Sequence, residues 1–417
     1  MRRGSTPKKS LRLLILSIQC DPEFTSNAIV ITGLARQLSA RGHHVTVLAG
    51  TPHYQLPRVP PGYKWHPFRR EVRDGVKVIR CWAFPKSHGK FAKVLNYASF
   101  TFTSLIAMLF TRKPEVVMVV SPPFWLGFHG LLLRALHGCP VTYNAQDLFP
   151  DAYLASREVR EGWLTRAMSN LMTRIYRGCD RIIVVTPSFV EAIAARDIDR
   201  SKLITIPNFV DTAAVTPSPR ANSFRRRYAL DGKWVVMYAG NIGYTHGAEL
   251  LVAAAEKLAA LPDIFFLVIG GGSKQADLAK LARHRRLTNV QFLPTQPREC
   301  LVEMLAAADV FVITSKPGVG QTSFPVRIYN YLLAARPVVA SVDEDSDLAK
   351  FLQTGGAGMV TAPGDVDAFC RSLTLLYRDA SLRDRLGQSG RDFMARHYSA
   401  RGVVDQYEAL LKELASG

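Results

Sequence analysis

The residues best equipped for chemistry lie in one stretch, Ile313 to Asp343, which reads ITSKPGVGQTSFPVRIYNYLLAARPVVASVD. An apolar run, Asp309 to Thr314, leads into it. A loop with Gly318, Gly320, Thr322 and Ser323 follows. Pro325 then stands where a helix can open, and Ile328, Tyr329, Leu332 and Leu333 recur at helical spacing. A small-residue loop feeding a helix start collects unpaired backbone N–H groups at the positive end of the helix dipole, which suits an anion. Lys316 and Arg327 flank this corner, and Asn330 lies one position past the first helical turn, where it can meet a ribose hydroxyl. Two cations and backbone amides in such a corner can hold a diphosphate and stabilise it as it departs. The same pattern also fits an ordinary strand–loop–helix of any α/β domain.

A second loop, YAGNIGYTHG (238–247), repeats the arrangement with Gly240, Gly243 and Gly247 between a strand and a helix. Glycine there lets the backbone approach phosphate oxygens, and His246 is a candidate phosphate contact. The spacing is not that of the GxGxxG dinucleotide fingerprint, and no acid is placed to hold an adenosine ribose. Two phosphate-competent corners in one half of the chain say more than either alone. Gly270-Gly271-Gly272 marks a third strand end.

Metal chemistry is not expected. Asp197/Asp199 and Asp365/Asp367 sit in turns where carboxylates cap helices. Asp343, Asp345 and Asp347 follow a strand and offer the one alternative, a Mg2+ site. The front half contributes Gln146-Asp147 and Asp151 at a strand end, and Thr25-Ser26-Asn27 at the mouth of the first helix. Asp147 could orient a hydroxyl or a nucleophile, or simply cap a helix over 150–155. No Ser–His–Asp, Walker A or HExxH arrangement occurs.

These loops need a scaffold, and the periodicity supplies one. Strands at 11–18, 45–49, 76–82, 116–121, 141–144, 181–186 and 203–206 alternate with helices at 27–40, 94–110 and 126–136. The segment 208–222, NFVDTAAVTPSPRAN, has two prolines, small residues and no periodicity, and reads as a linker. Beyond it come strands at 234–239, 264–269, 289–293, 309–314 and 337–342, with helices at 248–260, 275–284, 299–307, 366–378, 381–396 and 400–415. Strand–helix alternation implies parallel, doubly wound sheets that bind ligands at the carboxyl ends of their strands. The expected fold is α/β, with two Rossmann-like domains facing across a cleft: residues 1–211 and 212–399, a helix at about 400–417 packing back on the first.

Length and composition agree. At 417 residues, 48% of them apolar, the chain supports two cores. Its six cysteines are scattered without CxxC or Cys/His clustering, which argues against a zinc site or disulfide framework and for a reducing compartment. The net charge of +19 is uneven: residues 1–211 hold 29 Lys and Arg against 14 Asp and Glu, residues 212–417 hold 24 against 20. The densest basic part, 58–93, interleaves ten cations with Tyr63, Trp65, Phe68, Trp82 and Phe84, as interfacial surfaces do. Read as a signal peptide, the N-terminal stretch has too short an apolar core and no cleavage site, so a buried first strand is expected. The segment 94–110 is too short and too polar to span a bilayer and reads as a buried or membrane-surface helix. No nucleic-acid recognition motif appears.

The order and spacing of ARQLSARGHHVTVLAG (35–50), NAQDLFPD (144–151), CDRIIVVTPSF (179–189), IPNFVD (206–211), YAGNIG (238–243), NVQFLP (289–294) and FPVRIYNYLLAARPVVAS (324–341) resemble glycosyltransferase family 4, of GT-B architecture. Within it, bacterial transferases of colanic-acid and O-antigen assembly, of the L-fucosamine-transferase-like group, are most similar. The last segment resembles the PSKxxEYxAxGxPV signature. The resemblance implies a retaining, metal-independent transfer from a UDP-linked nucleotide sugar, whose uracil would lie against Leu293 and Pro294, with no cofactor. Lys316, Arg327 and the amides of Gly240, Asn241 and Gly243 would take the diphosphate, Asn330 the ribose, and Thr322 and Ser323 the donor sugar. Asp147 would orient the sugar or the acceptor. The acceptor would be a lipid-linked saccharide met by the basic first domain, at an anionic membrane surface on the cytoplasmic side.

The chain departs from the family pattern at several positions. Asn330 stands where a ribose-binding Glu is usual, Thr322 at the first Glu of ExxxxxxxE, Ala335 at a Gly, and Asn241 and His246 where an Arg and a Lys are common. A neutral Asn forgoes charge assistance, which makes such a hydrogen bond about half as strong. These departures leave two alternatives: a sugar-nucleotide epimerase on the same fold, or a non-catalytic GT-B scaffold.

Overall fold

The computed structural model describes residues 10–23, 25–53, 59–60, 62–63, 66–85, 90–151, 154, 161–212 and 215–417. The chain folds as two units. One takes the described residues of 1–150 and 161–207 together with 401–417, and the other is built on 208–400. The chain enters the second unit a few residues before the expected boundary at 211. Val210 is buried in that unit's core, and its backbone bridges Ser399.

The first unit carries an eight-stranded sheet: β1 (Arg12–Leu16), β2 (His44–Gly50), β3 (Phe68–Arg73), β4 (Val76–Cys81), β5 (Val116–Val120), β6 (Val141–Ala145), β7 (Arg181–Val184) and β8 (Leu203–Thr205). Its order is β3-β4-β2-β1-β5-β6-β7-β8, parallel throughout except for the β3–β4 pair. Central β5 (VVMVV) and β6 (VTYNA) are buried along their whole length, which is why β5 reads as an unbroken apolar run. Edge strand β3, FRREVR, gave no such signal. Its charges guard the open edge instead of packing into a core. Arg58, Lys64, Trp65 and Lys86 of the basic stretch lie outside the described residues.

The helix Ala400–Ser416 completes this unit. Arg41 reaches Glu408 at 2.6 Å and Asp405 at 2.7 Å, and His43 Nε2 lies 3.3 Å from Glu408. Within the core, Asn144 Nδ2 donates to the Tyr407 hydroxyl at 2.9 Å.

The second unit is a six-stranded, fully parallel sheet of β9 (Trp234–Ala239), β10 (Ile264–Ile269), β11 (Val290–Leu293), β12 (Val310–Thr314), β13 (Val338–Ser341) and β14 (Gly358–Thr361), in the order β11-β10-β9-β12-β13-β14. Alternation sends Val235, Met237, Phe311 and Ile313 into one core and Val236, Tyr238, Val310 and Val312 into the other. Each fully buried side chain of this kind contributes about 1.5–3 kcal/mol. Strand order reverses between β9 and β12, so the carboxyl ends of those two strands border the natural ligand crevice of this topology.

One sequence expectation changes here. The helix after the 315–326 loop spans Arg327–Leu333 and starts two residues beyond Pro325, because Ile328 and Tyr329 N–H donate to Pro325 and Val326 carbonyls in a tighter turn. Two carboxylates of the acidic group after β13 are engaged by the preceding loop. Asp343 accepts from Gly318 N–H (2.9 Å) and Asp345 from Gln321 Nε2 (2.7 Å), while Ser346 caps the helix Asp347–Gly355. Among the described residues no group of three or more His, Cys, Asp or Glu is arranged to hold a metal ion. No described helix is long and apolar enough to cross a membrane.

Candidate functional site

At the switch point, helix Arg327–Leu333 is locked to the end of β9. Tyr331 stacks on Phe311 of β12 with ring centroids 3.9 Å apart, and its hydroxyl donates to the Ala239 carbonyl (2.7 Å) while accepting from Ala239 N–H (2.9 Å). Burial pushes the Tyr331 phenol up to about 12, so it keeps its proton and both bonds at neutral pH. Arg327 lies one turn earlier on the same face. Its guanidinium sits over the Tyr238 ring, 4.5 Å from the centroid. It also presses against Gly240, where a Cβ would collide with Nη1. Gly270 makes a matching close approach. Its φ is +140°, and a Cβ there would strike the Gly240 carbonyl.

The 240–247 loop is stapled to the end of β12. Thr314 Oγ1 donates to the His246 carbonyl (2.6 Å), and Lys316 N–H donates to the Thr245 carbonyl (2.9 Å). Between these segments lies a cavity of about 50 Å³ lined by Thr245, His246, Ser315, Ser323, Ser346 and Arg327 among others. That is room for more than one water-sized group. Two buried polar atoms at its wall, Arg327 Nε and Ser315 Oγ, have no partner among the described residues. Unpaired buried donors cost about 1–3 kcal/mol each, so an anionic or hydroxylic occupant would be stabilised there. A larger hollow of about 340 Å³ runs between helix Gln275–His284 and the flank of β11. It lies along the strand and away from the strand ends where polar groups converge.

The residues singled out in the sequence distribute as follows. Arg327 and Ser323 line the cavity. Lys316 follows its Ser315 wall, is half-buried, and makes no ion pair among the described residues. Asn330, half-buried, is one turn beyond Arg327. Thr322 Oγ1 donates to its own loop, to the Val319 carbonyl at 3.1 Å. Gly240 and exposed Asn241 follow β9, with the Asn241 carbonyl accepting from the Tyr238 hydroxyl (2.6 Å). Gly243 precedes the one-turn helix Tyr244–His246. Leu293 ends β11. Its side chain belongs to the core and only its backbone faces the strand-end edge, where its carbonyl accepts from Gly270 N–H (3.0 Å). Pro294 beside it is exposed. Asp147 is exposed after β6 in the first unit.

Sequence reasoning missed Tyr238, Tyr331 and Ser315. Tyr331 at i+4 from Arg327 was the available clue. It also missed a buried cluster in the first unit near the ends of β1 and β2. There His53 N–H donates to Glu23 Oε1 (2.9 Å), His53 Nδ1 faces the Thr51 carbonyl (2.6 Å), and Asn96 Nδ2 donates both to His53 Nε2 (2.9 Å) and to the Phe84 carbonyl (2.6 Å). The Thr51 carbonyl at Nδ1 and the Asn96 amide at Nε2 hold this ring in a fixed orientation.

Residues 28–208 match the family described as Glycosyl transferase 4-like domain, and residues 220–393 match Glycosyl transferases group 1. WcaI of Escherichia coli (strain K12), assigned as a colanic acid biosynthesis glycosyl transferase, is 25% identical over 95% of this chain and 98% of its own. A D-inositol 3-phosphate glycosyltransferase of Mycolicibacterium smegmatis is 30% identical over 76% of this chain and 73% of its own. Among solved structures, Anabaena HepE in complex with UDP-glucose superimposes with a TM-score of 0.71 at 16% identity, covering 97% of this chain and all of that one.

Proposed function

From the premise that this chain belongs to the glycosyltransferases, a group 1 domain behind a 4-like domain on two parallel-sheet Rossmann-like units of the GT-B type, we propose that it transfers a sugar from a UDP-sugar to a lipid-linked glycan, with retention and without a metal. The observation that carries this reading is the Arg327 guanidinium, its Nε without a partner among the described residues, beside the likewise unpartnered Ser315 hydroxyl at the strand-order switch point.

In this reading the bond from the anomeric carbon to the diphosphate oxygen breaks and the acceptor oxygen takes its place, with the acceptor proton leaving on the diphosphate. Arg327, Lys316 and the amides of Gly240, Asn241 and Gly243 stabilise the departing charge. Asn330 holds ribose, the backbone at Leu293 and Pro294 edges the uracil, Ser323 and Thr322 serve the donor sugar, and Asp147 orients the sugar or acceptor. Thr322 must release Val319 to do so. UDP-glucose in HepE supports the choice of donor class, and WcaI supports a place in surface-polysaccharide assembly.

Exposed apolar stripes support the lipid-linked acceptor. Helix Lys90–Leu109 exposes Val94, Leu95, Phe102 and Leu109. The helix Gly127–His137 beside it exposes Phe128, Leu132 and Leu136, and exposed Arg112 and Lys113 follow the first helix. Apolar side chains next to cations suit an anionic membrane surface at the cytoplasmic face. The Phe102→Asp variant should float less well with anionic vesicles than wild type; equal flotation removes this face from the reading.

The test of the transfer itself is Arg327→Ala. UDP affinity should fall, and transfer to membrane-extracted acceptor should fall by at least about 100-fold, as when one preorganised charge-stabilising donor is removed. Near-normal transfer by a folded variant would refute the assignment.

A further inference from the structure

The cavity beside Arg327 has a second titratable wall. His246 closes the one-turn helix Tyr244–His246. Its N–H donates to the Gly243 carbonyl (3.2 Å), its own carbonyl is held by Thr314, and its Nδ1 lies 3.1 Å from Thr245 Oγ1. The ring is half-buried and lines the same space as Arg327 and the unpartnered Ser315 hydroxyl.

The groups around this ring are cationic or neutral. Arg327 faces it from helix Arg327–Leu333, with the Tyr238 and Tyr331 phenols behind that guanidinium. Lys316 comes from the loop after β12, and Lys274 lies over the neighbouring Tyr244 ring at 4.7 Å. On the β13 side, Asp343 is engaged by Gly318 N–H, and no described carboxylate pairs with His246. Burial first, and then the Arg327 charge, push the imidazole down to about 3, so these surroundings hold it neutral.

An entering diphosphate reverses that balance. It offsets the field of Arg327 and brings its own negative charge against the ring, and an opposite charge at such range favours the protonated form. We propose that His246 takes up a proton as a nucleoside diphosphate binds, so that the loaded site meets its ligand with imidazolium beside guanidinium. This rests on the donor-site reading above. The sign follows from linkage: protonation favoured in the complex makes affinity greatest at acid pH, and affinity declines as pH rises through the complex's own transition.

Isothermal calorimetry of the full chain with UDP, at pH 6 in buffers of differing ionisation enthalpy, tests it. The wild type should take up more protons per UDP than His246→Asn, by about one-third to one proton; the difference cancels the nucleotide's own ionisation. His246→Lys, cationic throughout, should bind UDP at least as well as His246→Asn and lose the excess uptake. Equal uptake in wild type and His246→Asn, with both binding UDP, overturns the proposal and leaves the donor site standing. Absence of UDP binding by the wild type overturns the donor-site reading and this inference together.

Discussion

Arg327 is held on three sides before any ligand arrives: the Tyr238 face, the Gly240 backbone and the Tyr331-anchored helix. A planar, delocalised cation suits that slot, because it stacks and still presents N–H donors in a fixed fork. Arg327→Lys therefore should not substitute fully. A compact ammonium on a flexible stem would keep the charge and lose the stacking, so turnover should fall about 10-fold or more while UDP binding survives better than in Arg327→Ala; steady-state assays beside calorimetry would show it. If Lys matches Arg in kcat/KM, charge alone suffices there. The place of Lys316, Arg327 and the glycines at strand ends was legible because small-residue loops between a strand and a helix have a recognisable composition. Tyr238 and Ser315 were not, since nothing local distinguishes them until β9 and β12 become neighbours.

At the next scale, the turn after helix Arg327–Leu333 carries a cost that the sequence already hinted at. Ala335, where a glycine is usual in the family pattern, adopts φ +54°, a left-handed conformation. The position is the residue just past the helix's last turn, where glycine is favoured. Helix Ala380–His397 packs so closely on this turn that a Cβ at Gly387 would strike the Ala335 carbonyl, which leaves the turn no freedom to relax. Ala335→Gly should raise stability by about 0.5–1 kcal/mol in denaturant melts, since relief of the left-handed strain outweighs the extra chain entropy of glycine. A loss of stability would mean that the Ala335 methyl contributes more by packing than it costs in strain. Long apolar strands and amphipathic helices were readable, several to the residue: β9, β10, Gln275–His284 and Val366–Arg378. The helix Trp163–Gly178 was readable too, with Met168, Leu171, Met172, Ile175 and Tyr176 on one side, but was passed over. By contrast, four-residue β14 begins at Gly358 and has too little pattern to find; its pairing with β13 defines it.

Over the molecule as a whole, the ion-pair cluster at Glu408 fixes which residues finish the first unit. Burial would raise the Glu408 carboxyl, but hydrogen bonds from Lys412, Arg41 and His43 outweigh it and hold the group down at about 2. A depressed folded-state pKa contributes stability above the unfolded-state value near 4.3, and that contribution is lost as pH falls toward about 2. The contribution at neutral pH is on the order of 2–3 kcal/mol. Glu408→Gln should lose about that much at pH 7 and show a flatter stability profile between pH 5 and 2.5; an unchanged acid limb would assign the acid sensitivity elsewhere. Nothing in the charge pattern of the sequence linked Arg41 and His43 to a helix more than 350 residues away, because ion-pair partners at such separation are set by topology and carry no local signature.

Since helix Ala400–Ser416 belongs to the first unit while everything from 208 to 400 belongs to the second, the order of synthesis and the order of completion run opposite ways. On the ribosome, the second unit has all its strands in hand while the half made before it still waits for Tyr407 to fill its core beside Asn144. A chain that stops just short of that helix would strand the older half unfinished and spare the younger one.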